Sequence, residues 1–179
     1  MSAARLRLPV HESTTFVLVR PHYPENVGAS ARAIKTMGFD RLTLVRPGRL
    51  AVPEHEMAFR MAVRAWEVLN GARREATLED AVRGSSLVLA TSSRRGISGV
   101  LTARDAAALV IEQARAGALT CILFGNEKTG LDAAELSRAT HCVRVPMVGD
   151  QPSINLAQAV QLVAYELYVA ALAARAQER

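Results

Sequence analysis

The residues of this sequence that could take part in chemistry are grouped in four polar segments, residues 20–27, 91–99, 125–131 and 146–153. These segments offer amide, hydroxyl, carboxylate and guanidinium groups, which suit the binding of a polar ligand. Gly125 opens the third segment, and a glycine there lets a ligand lie close to the backbone. A plain turn is the alternative role for this glycine.

Each polar segment follows a short apolar run that is typical of a buried strand, and helical patterns separate these runs. The predicted strands cover residues 16–19, 42–45, 87–90, 120–124 and 142–145. The predicted helices cover residues 27–37, 56–69, 77–83, 102–116, 132–138 and 153–175. This alternation predicts an α/β fold with a mostly parallel sheet flanked by helices on both faces. Because the carboxyl ends of parallel strands form the ligand face, the four segments predict a site along one rim.

The length and composition predict one globular domain, because the chain has 179 residues, of which 50% are hydrophobic and 22% are charged. We expect residues 1–14 to form a flexible arm and residues 15–179 to form the domain. Aromatic residues make up only 4% of the chain. Stacking of single-stranded nucleic acid on aromatic side chains is therefore not expected to be the main binding device.

The net charge of +5 is carried by the N-terminal part of the chain. The first 50 residues contain eight cations and three anions, whereas the remaining residues contain 14 of each sign. Of the 22 basic residues, 20 are arginine, whose guanidinium binds phosphate in a bidentate manner. A polyanionic partner is therefore favoured, and a surface of solvated arginines is the alternative.

The sequence has no marks of a membrane or secreted protein. No apolar stretch reaches the roughly 18 residues that a membrane span needs, and the N-terminus lacks the apolar region of a signal peptide. We therefore expect a cytoplasmic protein that does not contact a membrane. Cys121 and Cys142 lack the spacing of metal ligands and are predicted to be buried free thiols.

Common nucleotide-binding and hydrolase motifs are absent from the sequence. The run from Gly125 to Gly130 is not a Walker A loop, because Lys128 precedes the last glycine instead of following it. No Gly-x-Gly-x-x-Gly follows the first strand, which argues against a dinucleotide site. The four histidines are scattered and no Gly-x-Ser-x-Gly is present, which argues against a serine hydrolase.

Three segments, taken in order, resemble the three motifs of the SpoU (TrmH-type) class of SPOUT RNA methyltransferases. They are residues 24–33 (PENVGASARA), residues 123–131 (LFGNEKTGL), and residues 145–147 (VPM) with 153–160 (SINLAQAV). Each lies at a predicted strand–loop–helix junction, and the resemblance extends over nearly the whole chain. Within the class, residues 16–45 are most similar to the tRNA cytidine/uridine 2′-O-methyltransferases of the TrmJ/LasT type.

The resemblance implies a cofactor, a substrate and an assembly that the residues alone do not indicate. It implies S-adenosylmethionine (SAM) bound in a bent form within a C-terminal trefoil knot, a homodimer, and methylation of a ribose 2′-hydroxyl in RNA. The final helix would thread the knot and form part of the dimer face. A cytidine or uridine of the tRNA anticodon loop is the favoured substrate. The alternatives are ribosomal RNA, or a catalytically silent RNA-binding protein of the same fold.

The resemblance also places the SAM pocket in the loops of residues 90–96, 125–131 and 145–155. Backbone groups of Val145, Met147 and Ile154 would hydrogen-bond the adenine edge. The full set of candidate cofactor residues is Thr91, Ser92, Gly125, Glu127, Val145, Met147, Ser153, Ile154 and Asn155.

Several of these residues have an alternative structural role that the sequence leaves open. Glu127 is a candidate for an ion pair with Lys128 or Arg138 as much as for direct ligand contact. Ser153 and Asn155 are residue types that cap helices, and Met147 is of a type that is common in protein cores.

Arg32 is the candidate catalytic residue, because the resemblance places this position at the ribose that is methylated. A guanidinium stays protonated and is a poor base, so we expect Arg32 to orient the nucleotide and to stabilise the developing 2′-oxyanion. An RNA phosphate would take part in proton removal. Asn26 is expected to shape its loop or to place Arg32 across the dimer interface, with capping of the following helix as the alternative.

Two further expectations concern the metal and the RNA. No metal is required, because the methyl group of the donor is already activated. Since the sequence ends shortly after the last predicted helix, we expect the basic N-terminal third and Arg94-Arg95 to supply most of the RNA affinity.

Overall fold

One parallel sheet organises the computed structural model, which describes residues 6–94, 96–148 and 153–178. Within these residues the sheet has seven strands in the order β3-β2-β1-β6-β4-β7-β5, and every pairing is parallel. The strands are β1 Thr14–Val19, β2 Leu42–Val45, β3 Arg73–Glu75, β4 Ser85–Thr91, β5 Leu101–Thr102, β6 Leu119–Phe124 and β7 His141–Arg144. The predicted parallel α/β sheet is confirmed.

Helices cover both faces of this sheet because its strands are apolar on both sides. The helices are α1 Pro9–Ser13, α2 Pro24–Thr36, α3 Glu56–Met61, α4 Trp66–Asn70, α5 Leu78–Val82, α6 Ala103–Arg115, α7 Ala133–Leu136 and α8 Leu156–Gln177. In β1, Phe16 and Leu18 pack into the larger core with α2, α6 and α8, whereas Val17 and Val19 pack into a smaller core with α5.

The predicted helix over residues 56–69 is two helices, α3 and α4. The chain bends between them at Arg64, whose φ of 60° lies in the left-handed region. Ala62 and Ala65 on either side of the bend are buried, whereas Met61, which shares the apolar spacing, is exposed. The spacing thus indicates burial for most of its residues but not a continuous helix.

Two strands were not predicted, because neither has an apolar run. Arg73 and Arg74 of β3 are exposed and Glu75 is only partly covered, while both residues of β5 are half-buried. Both strands lie at the edges of the sheet, where side chains meet solvent and hydrophobic burial leaves no pattern in the sequence.

Of the predicted flexible arm over residues 1–14, the structure describes residues 6–14, and for these residues the prediction is wrong. Leu8 and Val10 are buried in the larger core, and α1 lies directly before β1. The backbone N–H of Leu8 donates to Nδ1 of His11 at 3.2 Å, which closes the first turn. Residues 1–5 lie outside the described residues.

The final helix, α8, has 22 residues, about the length predicted for residues 153–175, and is strongly apolar. By length and composition alone it could cross a membrane, so the expectation that no stretch reaches this length is wrong. Its buried residues pack in the larger core beside α2 and α6, which is the position of a core helix. The residues in this core are Leu156, Val160, Val163, Ala164, Leu167 and Ala171.

Candidate functional site

A cavity of about 320 Å³ lies at the carboxyl ends of β6, β4 and β7, which are adjacent in the sheet. The loops that follow these three strands form most of its wall, and the segment before α8 closes it. This volume is within the range of small-molecule sites. A cavity is therefore present at the predicted rim, and three of the four predicted polar segments line it.

Eight of the nine candidate cofactor residues line this cavity, although they come from four separate parts of the chain. They are Thr91, Ser92, Gly125, Glu127, Val145, Met147, Ser153 and Ile154. The ninth, Asn155, is the N-cap residue of α8, and its side chain accepts from the backbone N–H groups of Ala157 and Gln158. The predicted cap is confirmed for Asn155.

The side wall formed by residues 91–94 is tied to the neighbouring strands. The Thr91 hydroxyl donates to the carbonyl of Leu123 at 2.9 Å, and the backbone N–H of Ser92 donates to the carbonyl of Val143 at 2.9 Å. These bonds fix the end of β4 against the ends of β6 and β7, so that the three loops leave the sheet side by side.

The loop from Gly125 to Gly130 is held in shape by its own groups. Oδ1 of Asn126 accepts from the backbone N–H groups of Lys128 at 2.9 Å and Thr129 at 2.8 Å. A Cβ on Gly125 would lie 2.2 Å from the carbonyl carbon of Gly130, so only glycine fits there. The glycine is therefore required by contact with the other end of its own loop, which is the alternative role of a turn, and the loop lines the cavity.

Glu127 joins this loop to the start of α2. Its carboxylate accepts from the backbone N–H groups of His22 at 2.9 Å and Tyr23 at 3.3 Å, and from the side-chain amide of Asn26 at 2.8 Å. Tyr23 is the N-cap residue of α2 and has no side-chain cap of its own. Glu127 thus supplies, from a distant loop, the negative charge and acceptors that a helix N-terminus needs.

Two predicted alternatives for these residues are wrong. Asn26 does not cap a helix, because α2 already begins at Pro24 and Asn26 lies in its first turn. Glu127 forms no ion pair with Arg138, which instead pairs with Glu79. Asn26 and Glu127 are instead hydrogen-bonded to each other, and their separation in the sequence gives no indication of this contact.

Asn26 extends the connection to the third motif. While its amide nitrogen donates to Glu127, its Oδ1 accepts from Nδ2 of Asn155 at 2.9 Å. A single side chain thus bridges the loop after β6 and the start of α8. Asn26 is 8% exposed, so these bonds are shielded from water and hold α2 against the rim of the cavity.

Behind the loop lies a charged cluster that the sequence analysis missed. Arg20 has a φ of 52°, and its guanidinium donates to both carboxylate oxygens of Glu135 at 2.8 and 2.7 Å. Glu135 is 4% exposed, lies 3.4 Å from Arg46 and closes the capping box of α7. The hydrogen bond to Glu135 raises the pKa of Arg20, against the lowering effect of burial. No local signal connects residues that are 115 positions apart.

Arg32 does not line the cavity of its own chain. It is an exposed residue of α2, six positions after Asn26, which is roughly 9 Å along the helix axis. It lies on the helix face that also carries Gly28 and Lys35, since residues three and four apart share a face. A Cβ on Gly28 would lie 1.9 Å from the carbonyl oxygen of Ala58, so this face of α2 packs directly on α3.

The remaining predictions concern Ser153, the thiols and metals. Ser153 is exposed and precedes the cap residue, so the capping role predicted for it belongs to Asn155 alone. Cys121 is buried, Cys142 is half-buried, and both are free. Among the described residues, no group of three or more His, Cys, Asp or Glu side chains could hold a metal ion.

Comparison with known proteins identifies relatives over most of the chain. Residues 13–165 match the sequence model of the SpoU rRNA Methylase family. A curated relative from Pseudomonas aeruginosa (strain UCBPP-PA14) is named tRNA (cytidine/uridine/adenosine-2′-O-)-methyltransferase TrmJ. It is 40% identical over 161 residues, which are 89% of this chain and 62% of the relative. This chain therefore spans less than two thirds of the length of that protein.

Solved structures share the fold. The probable methyltransferase from Bordetella pertussis Tohama I has a TM-score of 0.86 and 33% identity, over 90% of this chain and 97% of that one. The AdoMet-bound rRNA methyltransferase from Sinorhizobium meliloti has a TM-score of 0.70 and 25% identity, over 90% of this chain and 57% of that one.

Proposed function

Because this chain belongs to the SpoU rRNA Methylase family, we propose that it methylates a ribose 2′-hydroxyl of RNA with SAM as donor. The observation that carries the proposal is the connection from Glu127 through Asn26 to Asn155, which joins the three motifs around one cavity. The name of the Pseudomonas relative, which gives cytidine, uridine and adenosine, supports a nucleotide of tRNA as the target, and we favour a cytidine or uridine. The anticodon loop is our first choice of site, and ribosomal RNA is the alternative.

The chemistry of the cavity suits SAM. Gly125 brings loop backbone close to the ligand space, and the backbone at Val145, Met147 and Ile154 can hydrogen-bond an adenine edge. The wall also combines apolar surface with hydroxyl and carboxylate groups, which matches an adenosine joined to an amino acid. A bound AdoMet is named for the Sinorhizobium structure, which shares the fold.

When bound, SAM supplies a methyl group that its sulfonium has already activated. The residues of this chain have to align the 2′-oxygen with that methyl group and to stabilise the charge that develops on the oxygen. We assign this role to Arg32, whose guanidinium stays protonated and acts as a hydrogen-bond donor. An RNA phosphate near the ribose takes part in removing the proton.

Glu127, Asn26 and Asn155 have positioning roles. By holding the first turn of α2 against the cavity rim, they set where the helix that carries Arg32 lies relative to the methyl donor. Because Arg32 lies outside the cavity of its own chain, the complete site needs the Arg32 of a second copy.

The assembly we propose is therefore a homodimer. On α8, Leu162, Tyr165, Val169 and Leu172 are exposed and recur at helical spacing, which forms an apolar stripe. A second copy that covers this stripe would bring the two α2 helices near each other's cavities, since α2 packs beside α8. We further propose a C-terminal trefoil knot that involves α8 and the segment before it, of which residues 149–152 lie outside the described residues, and we propose that the protein acts in the cytoplasm.

Transfer of labelled methyl from SAM to total RNA tests the function, with the modified nucleotide then mapped. We expect Arg32→Ala to abolish transfer while SAM binding, measured by calorimetry, stays close to wild type. Arg115→Ala is the matched control, because Arg115 is an exposed arginine at the end of α6 that pairs with Glu178, the C-cap residue of α8. Wild-type turnover by Arg32→Ala would refute the assignment.

The second candidate function is RNA binding without catalysis. It predicts no calorimetric SAM binding together with RNA affinity that falls steeply with salt. The complete second and third motifs around the cavity argue against it.

A further inference from the structure

Two aromatic side chains form a stacked pair on the outer surface beside α2. Phe59 of α3 and Trp66 of α4 have ring centroids 5.2 Å apart and planes within 10° of parallel. Phe59 is 47% exposed and Trp66 is 43% exposed. The indole N–H of Trp66 donates to the carbonyl of Phe59 at 3.3 Å, so its polar group is already paired and its orientation is defined.

The pair is held from below by a buried layer. Ala58, Ala62, Ala65 and Val68 are at most 1% exposed, and they anchor both helices. The bend at Arg64 turns α4 relative to α3, which brings Trp66 over Phe59. The rings therefore project from a fixed scaffold, and a ligand would not have to order them before stacking.

The chain between the two rings carries the cationic Arg60 and Arg64 as well as the exposed apolar Met61 and Val63. Arg60 has a side chain that is 67% exposed, and its contact with Glu56 at 3.8 Å is weak. Arg64 is exposed, and neither it nor Arg32 has an ion-pair partner in the part of the chain that the structure describes. The second nearby acid, Glu67, pairs with Lys35 of α2.

The pair also lies next to the proposed catalytic helix. Lys35 donates to the carbonyl of Arg64 and pairs with Glu67, while Gly28 contacts Ala58. Arg32 lies between Gly28 and Lys35 on this face of α2. RNA that reaches Arg32 would thus pass close to Phe59 and Trp66.

We propose that Phe59 and Trp66 form a stacking platform for an unpaired base of the RNA, with Arg60 and Arg64 contacting the adjacent phosphates. Flat exposed rings among arginines fit an unpaired, negatively charged strand, because each base presents a face for stacking and each phosphate an anion. The apolar stripe of α8 is the better surface for a second copy, because it is mostly aliphatic. The platform rests on the proposed function for its position beside the target nucleotide.

Trp66 is the single tryptophan of the chain, so its fluorescence reports on this platform directly. Titration of the full chain with a tRNA transcript should quench the emission, and the quenching should follow the binding curve. We expect Trp66→Ala to raise the Kd for the transcript roughly tenfold, whereas Trp66→Phe keeps most of the affinity. Arg60→Gln should weaken RNA binding and lower the salt dependence of the RNA affinity by about one counterion. Arg138→Gln is the control, because it removes the same charge on the side of the sheet where α7 lies, and it should change neither quantity.

Calorimetric SAM binding and sedimentation separate this proposal from its alternatives. Unchanged RNA affinity in both Trp66→Ala and Arg60→Gln would overturn the platform, and methyl transfer by the same samples would show that the proposed function still holds. A change of oligomeric state in Trp66→Ala would also overturn it, because the rings would then belong to an interface between copies. A third outcome would support the platform and refute the proposed function. In it, RNA quenches the fluorescence of the wild-type chain and Trp66→Ala binds RNA tenfold more weakly, but the wild-type chain transfers no methyl group.

Discussion

Removal of the Glu127 carboxylate tests whether the loop after β6 holds the start of α2. In Glu127→Ala, the backbone N–H groups of His22 and Tyr23 and the amide of Asn26 lose their acceptor. The two backbone groups remain within reach of water, so they are not left as buried unsatisfied donors. The loss in the free energy of unfolding should therefore equal that of removing a helix N-cap together with one hydrogen bond that is shielded from water.

The expected destabilisation follows from these contacts. Removal of an N-cap costs about 1 kcal/mol, and a hydrogen bond to a charged group contributes about 1.5 kcal/mol. Since Glu127 is only half-buried, we expect a loss of about 2 kcal/mol in the free energy of unfolding. For a chain of this size, that corresponds to a Tm lower by roughly 4–8 °C.

Urea unfolding and thermal denaturation measure this effect. Glu127→Gln keeps an acceptor oxygen but loses the charge at the helix N-terminus, so it should lose about half as much. Glu112→Ala is the control, because Glu112 is an exposed glutamate of α6. If Glu127→Ala were as stable as this control, the capping role would be wrong.

A double-mutant cycle separates the contribution of the hydrogen bond between Asn26 and Glu127 from that of the backbone contacts of Glu127. Because Asn26 donates to Glu127 at 2.8 Å, the two alanine substitutions should be non-additive by about 0.5–1.5 kcal/mol. Additive losses would show that the bond contributes nothing to stability in solution.

Three further substitutions or reactions test other parts of the structure. Arg20→Met should destabilise the fold by about 3 kcal/mol in urea unfolding, because it leaves the carboxylate of Glu135 buried without its main partner, and Arg20→Lys should recover part of the loss. Gly28→Ala should lower Tm by several degrees, since its Cβ would lie 1.9 Å from backbone of Ala58, and an unchanged Tm would contradict the close packing of α2 on α3. Burial raises the pKa of the Cys121 thiol, which keeps the reactive thiolate scarce below that pKa. Alkylation at pH 8 should therefore leave Cys121 unmodified until the protein is unfolded.

Much of the architecture could be predicted because it depends on neighbours in the sequence. The apolar runs at 42–45 and 120–124 predicted β2 and β6 to within a residue, because strands buried on both faces need continuous apolar side chains. Thr77 and Thr102 are N-caps whose hydroxyls accept from residues three positions later, which is a local pattern. The cavity residues were identified only through the resemblance of their motifs to a family.

The tertiary structure decided the features that depend on contacts between distant residues. Glu127 caps α2 across about 100 positions, and Arg20 meets Glu135 across 115, so neither pair leaves a local pattern. The sequence could point to Arg32 but not place it, and the fold puts its helix against the rim while leaving the guanidinium outside its own cavity. Composition and periodicity determine which segments are buried, and local spacing identifies N-caps such as Thr77 and Thr102. Which loop closes against which helix depends on the packing of α2 between α3 and α8, and that arrangement arises only when the whole chain is folded.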